Sequence, residues 1–355
     1  MTKDIKLSNV KGILIFSVVF GHFLSSFQRE YMDLYLFIYS FHMPLFILIS
    51  GYFAKRVTGR KILNFLLLLA IFQPLYRGYL VLIGEEEAFA LKLSFPYYHL
   101  WYLFAMTIWY LIAMGLSKLK LKNLHKVLLI ILFFAIGIGA RFISDPFEAF
   151  ICSYGFEFRG TSFSYMRIMT FLPYFFIGNF MSKDNMVKLY SSLSKYKIVN
   201  IILLIGLYLS VMFFNPVNAE VIFKGKHGIA MMEGSLIFKT TCIIAGYIIS
   251  LLMCFIMLNL LSDRKSIITQ IGERTLPVYL FHAFIVIVLR DLEILHSLNV
   301  FILLPLLLLL SFLVVLLLEN EIFIKLTYYL WNPLELLRLV KEFIVSQSNK
   351  YRTKI

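Results

Sequence analysis

The chain has 355 residues, of which 60% are hydrophobic and only 15% are charged, and its mean hydropathy is +0.83. Because about a quarter of the residues of a soluble domain are charged, these values exclude an ordinary soluble protein and indicate a membrane protein with several spans. The net charge of +14 is more typical of basic cytoplasmic loops than of a nucleic-acid surface in such a protein. The three cysteines lack the spacing of a metal site or a disulfide framework.

Ten segments of the chain are apolar enough to be predicted as membrane-spanning helices, each of which needs about 20 mostly apolar residues. In chain order they are 10–27, 34–53, 62–83, 99–116, 127–142, 165–181, 198–214, 236–261, 276–289 and 300–318. The ninth is short, and an alternative start lies near Ile271. The sequence therefore predicts an all-α integral membrane protein with about ten transmembrane helices, multi-pass in the plasma membrane.

The distribution of Lys and Arg predicts the orientation of these spans. With the N-terminus in the cytoplasm, 24 of the 34 Lys and Arg residues fall in cytoplasmic segments and nine in outer segments, while Arg77 lies within a span. This agrees with the rule that cytoplasmic loops are enriched in positive charge. Both termini are therefore predicted to be cytoplasmic.

The membrane domain is predicted to occupy residues 1–318, and residues 319–355 form a basic tail. The tail mixes apolar residues with lysines and arginines, a pattern typical of an amphipathic helix on the cytoplasmic membrane surface. A solvated basic tail is the alternative interpretation.

His22 is the strongest catalytic candidate, because ionisable groups inside a span usually face the protein interior or a water-filled cavity. It lies in the outer half of the first span, in "KGILIFSVVFGHF". Lys11 lies eleven residues earlier, and eleven steps of 100° return to nearly the same helix face, about 16 Å away. A neutral imidazole can accept a proton from a hydroxyl group. The alternative is a histidine that only forms a packing hydrogen bond between helices.

His42 lies at a comparable depth in the second span, in "FHMPLFILISGYF". Two histidines at one depth could share a site. Pro44 follows closely and removes a helical hydrogen bond, so the alternative is that His42 only satisfies a carbonyl that Pro44 frees.

Arg77 lies in the third span, one helical turn after Gln73 on the same face. A buried arginine could bind an anionic group or a developing oxyanion. The alternative is that its side chain extends to the outer membrane surface.

Four basic residues follow the second span within seven positions: Lys55, Arg56, Arg60 and Lys61. Together with Lys11 at the inner boundary, they are predicted to bind the phosphates of a nucleotide-like cofactor. The alternative is that they serve only to orient the spans.

Further candidates are residues that could contact a polar substrate, of which Arg167 lies near the outer boundary. They are His99 and Tyr102 in "YYHLWYLFAM", Arg167, and Tyr279 and His282, which share a face in "TLPVYLFHAF". An interfacial aromatic belt is the alternative origin of the aromatic residues, and a solvated charge at the membrane edge is the alternative for Arg167.

Five segments occur in a characteristic order along the chain: "KGILIFSVVFGHF", "FHMPLFILISGYFAKR", "HLWYLFAMTIWYL", "RIMTFLPYFFIGNFM" and "IGERTLPVYLFH". Together they resemble the membrane-bound acyltransferase family 3, in particular its polysaccharide O-acetyltransferase branch. The resemblance extends from the first predicted span to the ninth.

The resemblance implies an enzyme that transfers an acyl group, usually acetyl from cytoplasmic acetyl-CoA, to a sugar hydroxyl. The acceptor would be a cell-surface or exported polysaccharide, its capsule included, or a lipid-linked precursor. It also implies that His22, preceded by Lys11, is the essential histidine. The basic motif after the second span departs from the family pattern, because Asn64 rather than a second arginine stands four residues after Arg60.

Acetyl-CoA is thus the expected acyl donor, and no metal is expected. The expected partners are a glycan or lipid-linked sugar, membrane lipids and polysaccharide synthesis machinery, with no nucleic acid.

Two other functions fit the composition. One is a polysaccharide-precursor transporter or flippase without acyl transfer, because intramembrane His and Arg also suit a proton relay. The other is a scaffold for a synthase complex.

Overall fold

The structure, a computed structural model, describes residues 4–332 together with Glu335 and Arg338. The regular secondary structure of this part of the chain is helical. Its α-helices are α1 (Ile5–Leu24), α2 (Gln28–Phe53), α3 (Gly59–Leu82), α4 (Trp101–Ser117), α5 (Asn123–Cys152), α6 (Tyr165–Phe180), α7 (Lys183–Ser191), α8 (Lys197–Met212), α9 (Pro216–Lys224), α10 (Leu236–Leu260), α11 (Ile267–Glu273), α12 (Thr275–Arg290), α13 (Glu293–His296), α14 (Val300–Leu318) and α15 (Glu321–Trp331). The predicted all-α membrane fold is confirmed.

Each of the ten predicted spans falls on one of these helices. Six helices of the described chain are long and apolar enough to cross a membrane alone: α1, α2, α3, α5, α10 and α14. Two bent pairs, α8 with α9 and α11 with α12, raise the number to eight. The predicted fourth and sixth spans correspond to α4 and α6, which have only 17 and 16 residues. The count of ten spans therefore stays a prediction.

Local polar residues determine where several helices begin. The Asp4 side chain accepts a hydrogen bond from the Leu7 backbone N–H at 3.1 Å, at the start of α1. Ser235 caps α10 in the same way, and Asn299 caps α14. Such caps satisfy N–H groups that have no partner within the helix. The apolar residues that follow each cap form the body of the helix.

The bend between α8 and α9 directs a short helix back towards the bundle, at 115° to α8. Asn215 caps α9 and Pro216 stands in its first turn, which is the position where proline fits a helix best. At the other end, the buried guanidinium of Arg141 donates hydrogen bonds to the carbonyls of Val221 and Ile222, at 2.8 and 2.9 Å. Arg141 thus stabilises the last turn of α9 and fixes the position of its C-terminus.

A second bend separates α11 from α12 by 88°. The break lies at Arg274, whose backbone has the non-helical angles φ −121° and ψ 33°. The predicted ninth span therefore consists of α12, and the alternative start near Ile271 lies in a separate helix. The amide of Asn9 on α1 donates to the carbonyls of Ser262 and Arg264 at 2.8 and 2.9 Å and accepts from the hydroxyl of Thr269. These bonds attach α11 to α1.

Helices α2 and α6 pack with their backbones in contact. A side chain at Gly51 would collide with the carbonyl of Phe175, and one at Gly178 would collide with the carbonyl of Leu48. Glycine is therefore required at both crossing points, because only it has no Cβ atom. This contact fixes the relative positions of two helices that form the candidate site.

Part of the predicted tail is helical and packs on the bundle. Helix α15 begins after the Asn320 cap, and its last residue, Trp331, contacts Phe65 on α3 with ring centroids 5.1 Å apart. The rest of the predicted amphipathic tail, apart from Glu335 and Arg338, lies outside the described residues.

Candidate active site

A cavity of about 480 Å³ lies at the end of the bundle where α1 ends and α2 begins. Following the predicted orientation, we call this end the outer end and the opposite one the inner end. The cavity is formed by α1, α2, α4, α6, α9 and α12, and by the loops that precede α4 and follow α9. Six predicted site residues line it: His22, His42, His99, Tyr102, Arg167 and Tyr279.

Three histidines form a cluster on one wall of the cavity, with His99 and His282 buried and His22 half-buried. The His22 ring is stacked on His282 at 5.1 Å between centroids, and His99 lies 4.7 Å from His282 and 6.4 Å from His22. His22 and His99 line the cavity, whereas His282 lies behind them, fully buried. The chain thus brings together residues from α1, the loop before α4, and α12.

The hydrogen bonds of this cluster determine where protons can lie. Nδ1 of His282 is 2.9 Å from the carbonyl oxygens of both Val278 and Tyr279. A carbonyl can only accept, so this nitrogen carries the hydrogen. Four other ring nitrogens are buried without a protein partner among the described residues: Nδ1 of His22, both nitrogens of His99, and Nε2 of His282. Unpaired polar atoms in a buried site are unusual, and these four belong to three rings that adjoin one another.

His42 lies on α2, buried in the cavity wall, with its ring edge-on to Tyr39 at 4.8 Å. Its Nδ1 lies 2.7 Å from the carbonyl oxygen of Ile38 and therefore donates to it. Pro44 frees the carbonyl of Ser40, one turn before the proline. The imidazole thus bonds a carbonyl that the proline does not free. In the neutral ring, Nε2 of His42 is left as a hydrogen-bond acceptor.

Tyr102 and Tyr279 form the part of the cavity wall that lies towards the inner end. The Tyr102 hydroxyl is 2.6 Å from Oγ of Ser50, which itself donates to the carbonyl of Phe46 at 2.8 Å. The Tyr102 hydroxyl is therefore the donor to Ser50. The Tyr279 hydroxyl donates to the backbone carbonyl of His99 at 2.6 Å. Both phenolic hydrogens are used within the protein.

The structure places Arg77 outside the lining of the cavity, a position that does not support its predicted role as an oxyanion-binding or catalytic group. Its guanidinium forms an ion pair with Glu86 and lies over the ring of Tyr97 at 5.7 Å. The neighbouring Gln73 is almost completely buried and donates to the carbonyls of Lys92 and Phe95 at 3.0 and 2.9 Å. Both side chains bind the loop between α3 and α4.

That loop presents Tyr98 and His99 to the cavity. The amide oxygen of Gln73 accepts from the N–H of Tyr97 at 2.7 Å, and Tyr98 has the left-handed backbone angle φ +42°, which is uncommon for a bulky residue. The Tyr98 ring lies 4.5 Å from that of His22, and its hydroxyl lies 3.1 Å from Oγ of Ser25. The clamp by Gln73 and Arg77 therefore supports a conformation that places groups beside His22.

Four cations line the outer part of the cavity: Arg167, Lys224, Lys226 and Arg290. Of these, the sequence indicates only Arg167. The other three look like edge charges in the sequence, since each lies at or beyond the end of a helix. The sequence contains one local signal for Lys224 and Lys226, because they flank Gly225 and glycine commonly ends a helix. In the structure, Gly225 has a left-handed φ of +63° and ends α9 in a tight turn. Tyr98 is a further cavity residue that the sequence does not single out.

The predicted basic cluster at the inner end is only partly assembled. Lys55 lies over the ring of Tyr52 at 4.4 Å and lines a second, open cavity of about 610 Å³ together with Lys120 and Lys126. Arg56, Arg60 and Lys61 are exposed and line neither cavity. The ammonium of Lys11 lies 5.6 Å from the ring of Phe53, at the inner end of α2. The inner cavity is thus basic, but Lys120 comes from the segment between α4 and α5 and Lys126 from the first turn of α5.

The comparison with protein families decides the class of this protein. A family model described as an acyltransferase domain, that of acyltransferase family 3, matches residues 4–319. The chain belongs to acyltransferase family 3.

Neither the comparison with curated proteins nor that with solved structures gave a match. Membership of acyltransferase family 3 supports acyl transfer as the reaction, and the match extends over α1 to the end of α14, which includes both cavities. Among the described residues of this acyltransferase, no group of three or more His, Cys, Asp or Glu side chains could hold a metal ion.

Proposed function

We propose that this family 3 acyltransferase transfers an acetyl group from acetyl-CoA to a hydroxyl of a cell-surface or exported polysaccharide or of its lipid-linked precursor. The observation that supports this is the half-buried His22 ring on the wall of the outer cavity, with one buried, unpaired nitrogen and two further histidines beside it. A sugar hydroxyl that enters the cavity from the outer end can reach this imidazole.

His22 acts as the general base in this proposal. It accepts the proton of the acceptor hydroxyl while the oxygen attacks the thioester carbonyl, and it returns the proton to the departing thiolate of CoA. The alternative route is covalent: a ring nitrogen of His22 attacks the thioester carbonyl, CoA leaves as the thiol, and the acceptor hydroxyl then takes the acetyl group from His22 and gives its proton to the ring. In both routes the products are an O-acetyl ester and free CoA.

The oxyanion that forms on the thioester carbonyl needs hydrogen-bond donors. Arg77 is not at the cavity, and Nε2 of neutral His42 has a lone pair rather than a hydrogen. The phenolic hydrogens of Tyr102 and Tyr279 are already donated within the protein. His99 has no partner at either ring nitrogen, so at least one unpaired N–H remains. We therefore assign the oxyanion to His99, with His42 as an acceptor for a substrate hydroxyl.

The acetyl-CoA donor is placed at the inner end in this proposal. Its phosphates would bind the basic inner cavity with Lys55, Lys120 and Lys126, and Lys11 lies on the face of α1 that leads to His22. The two residues are separated by about 16 Å along the helix, a distance that the acyl-bearing arm of CoA must bridge. The Tyr102–Ser50 hydrogen bond lies on this route, so its opening would admit the thioester.

The transporter alternative has one structural feature in its favour, because transporters bind substrate at discontinuous helices. The chain has two such bends, at 115° and 88°. Membership of an acyltransferase family favours acyl transfer. Export of the glycan precursor that continues at a normal rate without acetyl-CoA, and that stops when the protein is deleted, would support transport instead.

The test of the proposed function is His22→Ala in a strain that makes the acetylated glycan. We expect release of CoA from acetyl-CoA by purified protein to fall by about 10²–10⁴-fold, the usual contribution of a general base, and O-acetyl signals in the NMR spectrum of the surface glycan to disappear. His125→Ala, an exposed histidine at the inner start of α5, is the matched control. Normal membrane insertion of His22→Ala with unchanged O-acetylation would refute the role of His22.

A further inference from the structure

The outer part of the cavity has an unbalanced charge. Four cations line the cavity, and the described lining includes no carboxylate. Charges in a partly buried site are costly unless they are paired. The ion pairs that each cation makes therefore indicate how much positive charge is left for a ligand.

Two of the four cations are paired. The ammonium of Lys224 lies 2.6 Å from a carboxylate oxygen of Glu220, one turn earlier on α9. The guanidinium of Arg290 lies 3.4 Å from Asp291, and both side chains are partly exposed. These pairs leave little net charge on α9 and at the end of α12.

The other two cations, Arg167 and Lys226, form no salt bridge within the described part of the chain. Arg167 lies over the ring of Trp101 at 4.8 Å and donates from Nε to the carbonyl of Lys224 at 3.3 Å. Its terminal amino groups remain available in the cavity. Lys226 follows in the loop, where burial and then the charge of Lys224 lower the pKa of its ammonium. An anion bound beside Lys226 would offset both its loss of solvation and its repulsion by Lys224.

The position of this charge argues that it serves the acceptor and not the donor. Arg167 is in the first turn of α6 and Lys226 follows the end of α9, so both belong to the outer end. The phosphates of the proposed donor would lie at the inner end, beside Lys55. Between these positions lie the histidine cluster and the Tyr102–Ser50 pair.

We infer that the acceptor is an anionic sugar, whose carboxylate or phosphate binds between Arg167 and Lys226 while a hydroxyl of the same or the adjoining sugar reaches His22. This inference deepens the proposed function and rests on it for the identity of the reaction. A planar guanidinium matches the two oxygens of a carboxylate or phosphate, and an ammonium adds a third contact. A neutral sugar would leave both cations without a counter-charge in the cavity.

Binding without acetyl-CoA tests the inference separately from the reaction. The full-length chain in detergent is unfolded thermally with methyl glucuronide, glucose 1-phosphate, methyl glucoside or sodium succinate. We expect one of the two anionic sugars to raise the Tm by about 2 °C at roughly ten times its Kd, and the other three probes to have little effect. Which of the two anionic sugars stabilises the protein distinguishes carboxylate from phosphate.

Variants identify the site of binding. Lys226→Gln should weaken binding of the effective probe by about tenfold, the effect of losing one charge-assisted hydrogen bond. Arg159 is an exposed cation at the outer end that pairs with Glu157 and does not line the cavity. The Arg159→Gln variant should therefore bind the probe as tightly as the wild-type protein does. Arg167→Lys keeps the charge but loses the two-pronged contact of the guanidinium, so it should also weaken binding and provides a second measurement if Lys226→Gln does not accumulate.

Four outcomes would overturn the inference. With the wild-type protein, they are a rise in Tm with methyl glucoside equal to that with the anionic sugars, a rise in Tm with succinate as large as that with the sugar, and no rise in Tm with either anionic sugar. The fourth is an equal change in probe binding in Lys226→Gln and Arg159→Gln. Failure of acetyl transfer with normal binding would instead count against the proposed function, because binding needs no donor.

Discussion

Replacing Gln73 by leucine should loosen the loop that presents Tyr98 and His99 to the cavity. Three hydrogen bonds would be lost, from Gln73 to the carbonyls of Lys92 and Phe95 and from the Tyr97 N–H to Gln73, at 3.0, 2.9 and 2.7 Å. Each contributes about 1 kcal/mol net. The loop would therefore lose about 3 kcal/mol relative to its open form, which is roughly a 100-fold change in the opening equilibrium.

Hydrogen exchange of the membrane-embedded protein measures this effect directly. We expect amides in residues 92–99 to exchange about 100-fold faster in Gln73→Leu, with the exchange of α1 and α2 unchanged. Because His99 would leave its position for most of the time that the loop is open, CoA release should fall as well.

The matched control is Gln270→Leu, an exposed glutamine on α11 at the inner end. It should change neither exchange of residues 92–99 nor activity. If the hydrogen-exchange rates of residues 92–99 are unchanged in Gln73→Leu, the three hydrogen bonds do not hold the loop. The proposed role of Gln73 in supporting the loop would then be refuted.

Two further predictions concern the Arg77–Glu86 ion pair and the contact between α2 and α6. If Arg77 acts only by holding the loop through its ion pair, Glu86→Gln should lower kcat/KM as much as Arg77→Gln, and the double variant should be no worse than either; a much larger effect of Arg77→Gln would restore a direct role in the reaction. Gly178→Ala should destabilise the protein by about 1–3 kcal/mol, because its Cβ would collide with the carbonyl of Leu48. Gly206→Ala on α8, with no atom nearby, should be neutral or slightly stabilising; equal unfolding midpoints for the two variants would refute the close contact of α2 and α6.

The helices that correspond to the predicted spans could be predicted because each is an apolar run, whereas the short helices α7, α9, α11 and α13 lie between the predicted spans. The bends between α8 and α9 and between α11 and α12 could not be predicted in this way. The break at Arg274 has no proline or glycine at the break itself, and its non-helical backbone angles accompany the attachment of α11 to α1 by Asn9 and Thr269. Such contacts join residues more than 250 positions apart, and apolar periodicity contains no information about them.

The candidate site was partly predictable for a related reason. A histidine inside a span is conspicuous, so His22, His42 and His282 stand out from their neighbours. Arg77 is equally conspicuous, but its partner Glu86 lies in a loop whose path the sequence does not reveal. Conversely, Lys226 looks like any other loop lysine, and only the return of α9 to the bundle brings it to the cavity.

The glycine contact between α2 and α6 has a consequence for how the enzyme can open. These two helices cannot slide or separate without losing their backbone contact, so His42 and Arg167 must move together as one body. His22 lies on α1, which Asn9 attaches to α11 and not to this helix pair. Any movement of α2 against the rest of the bundle would therefore carry His42 and Arg167 together, and the spacing of these two groups would be preserved while a sugar enters.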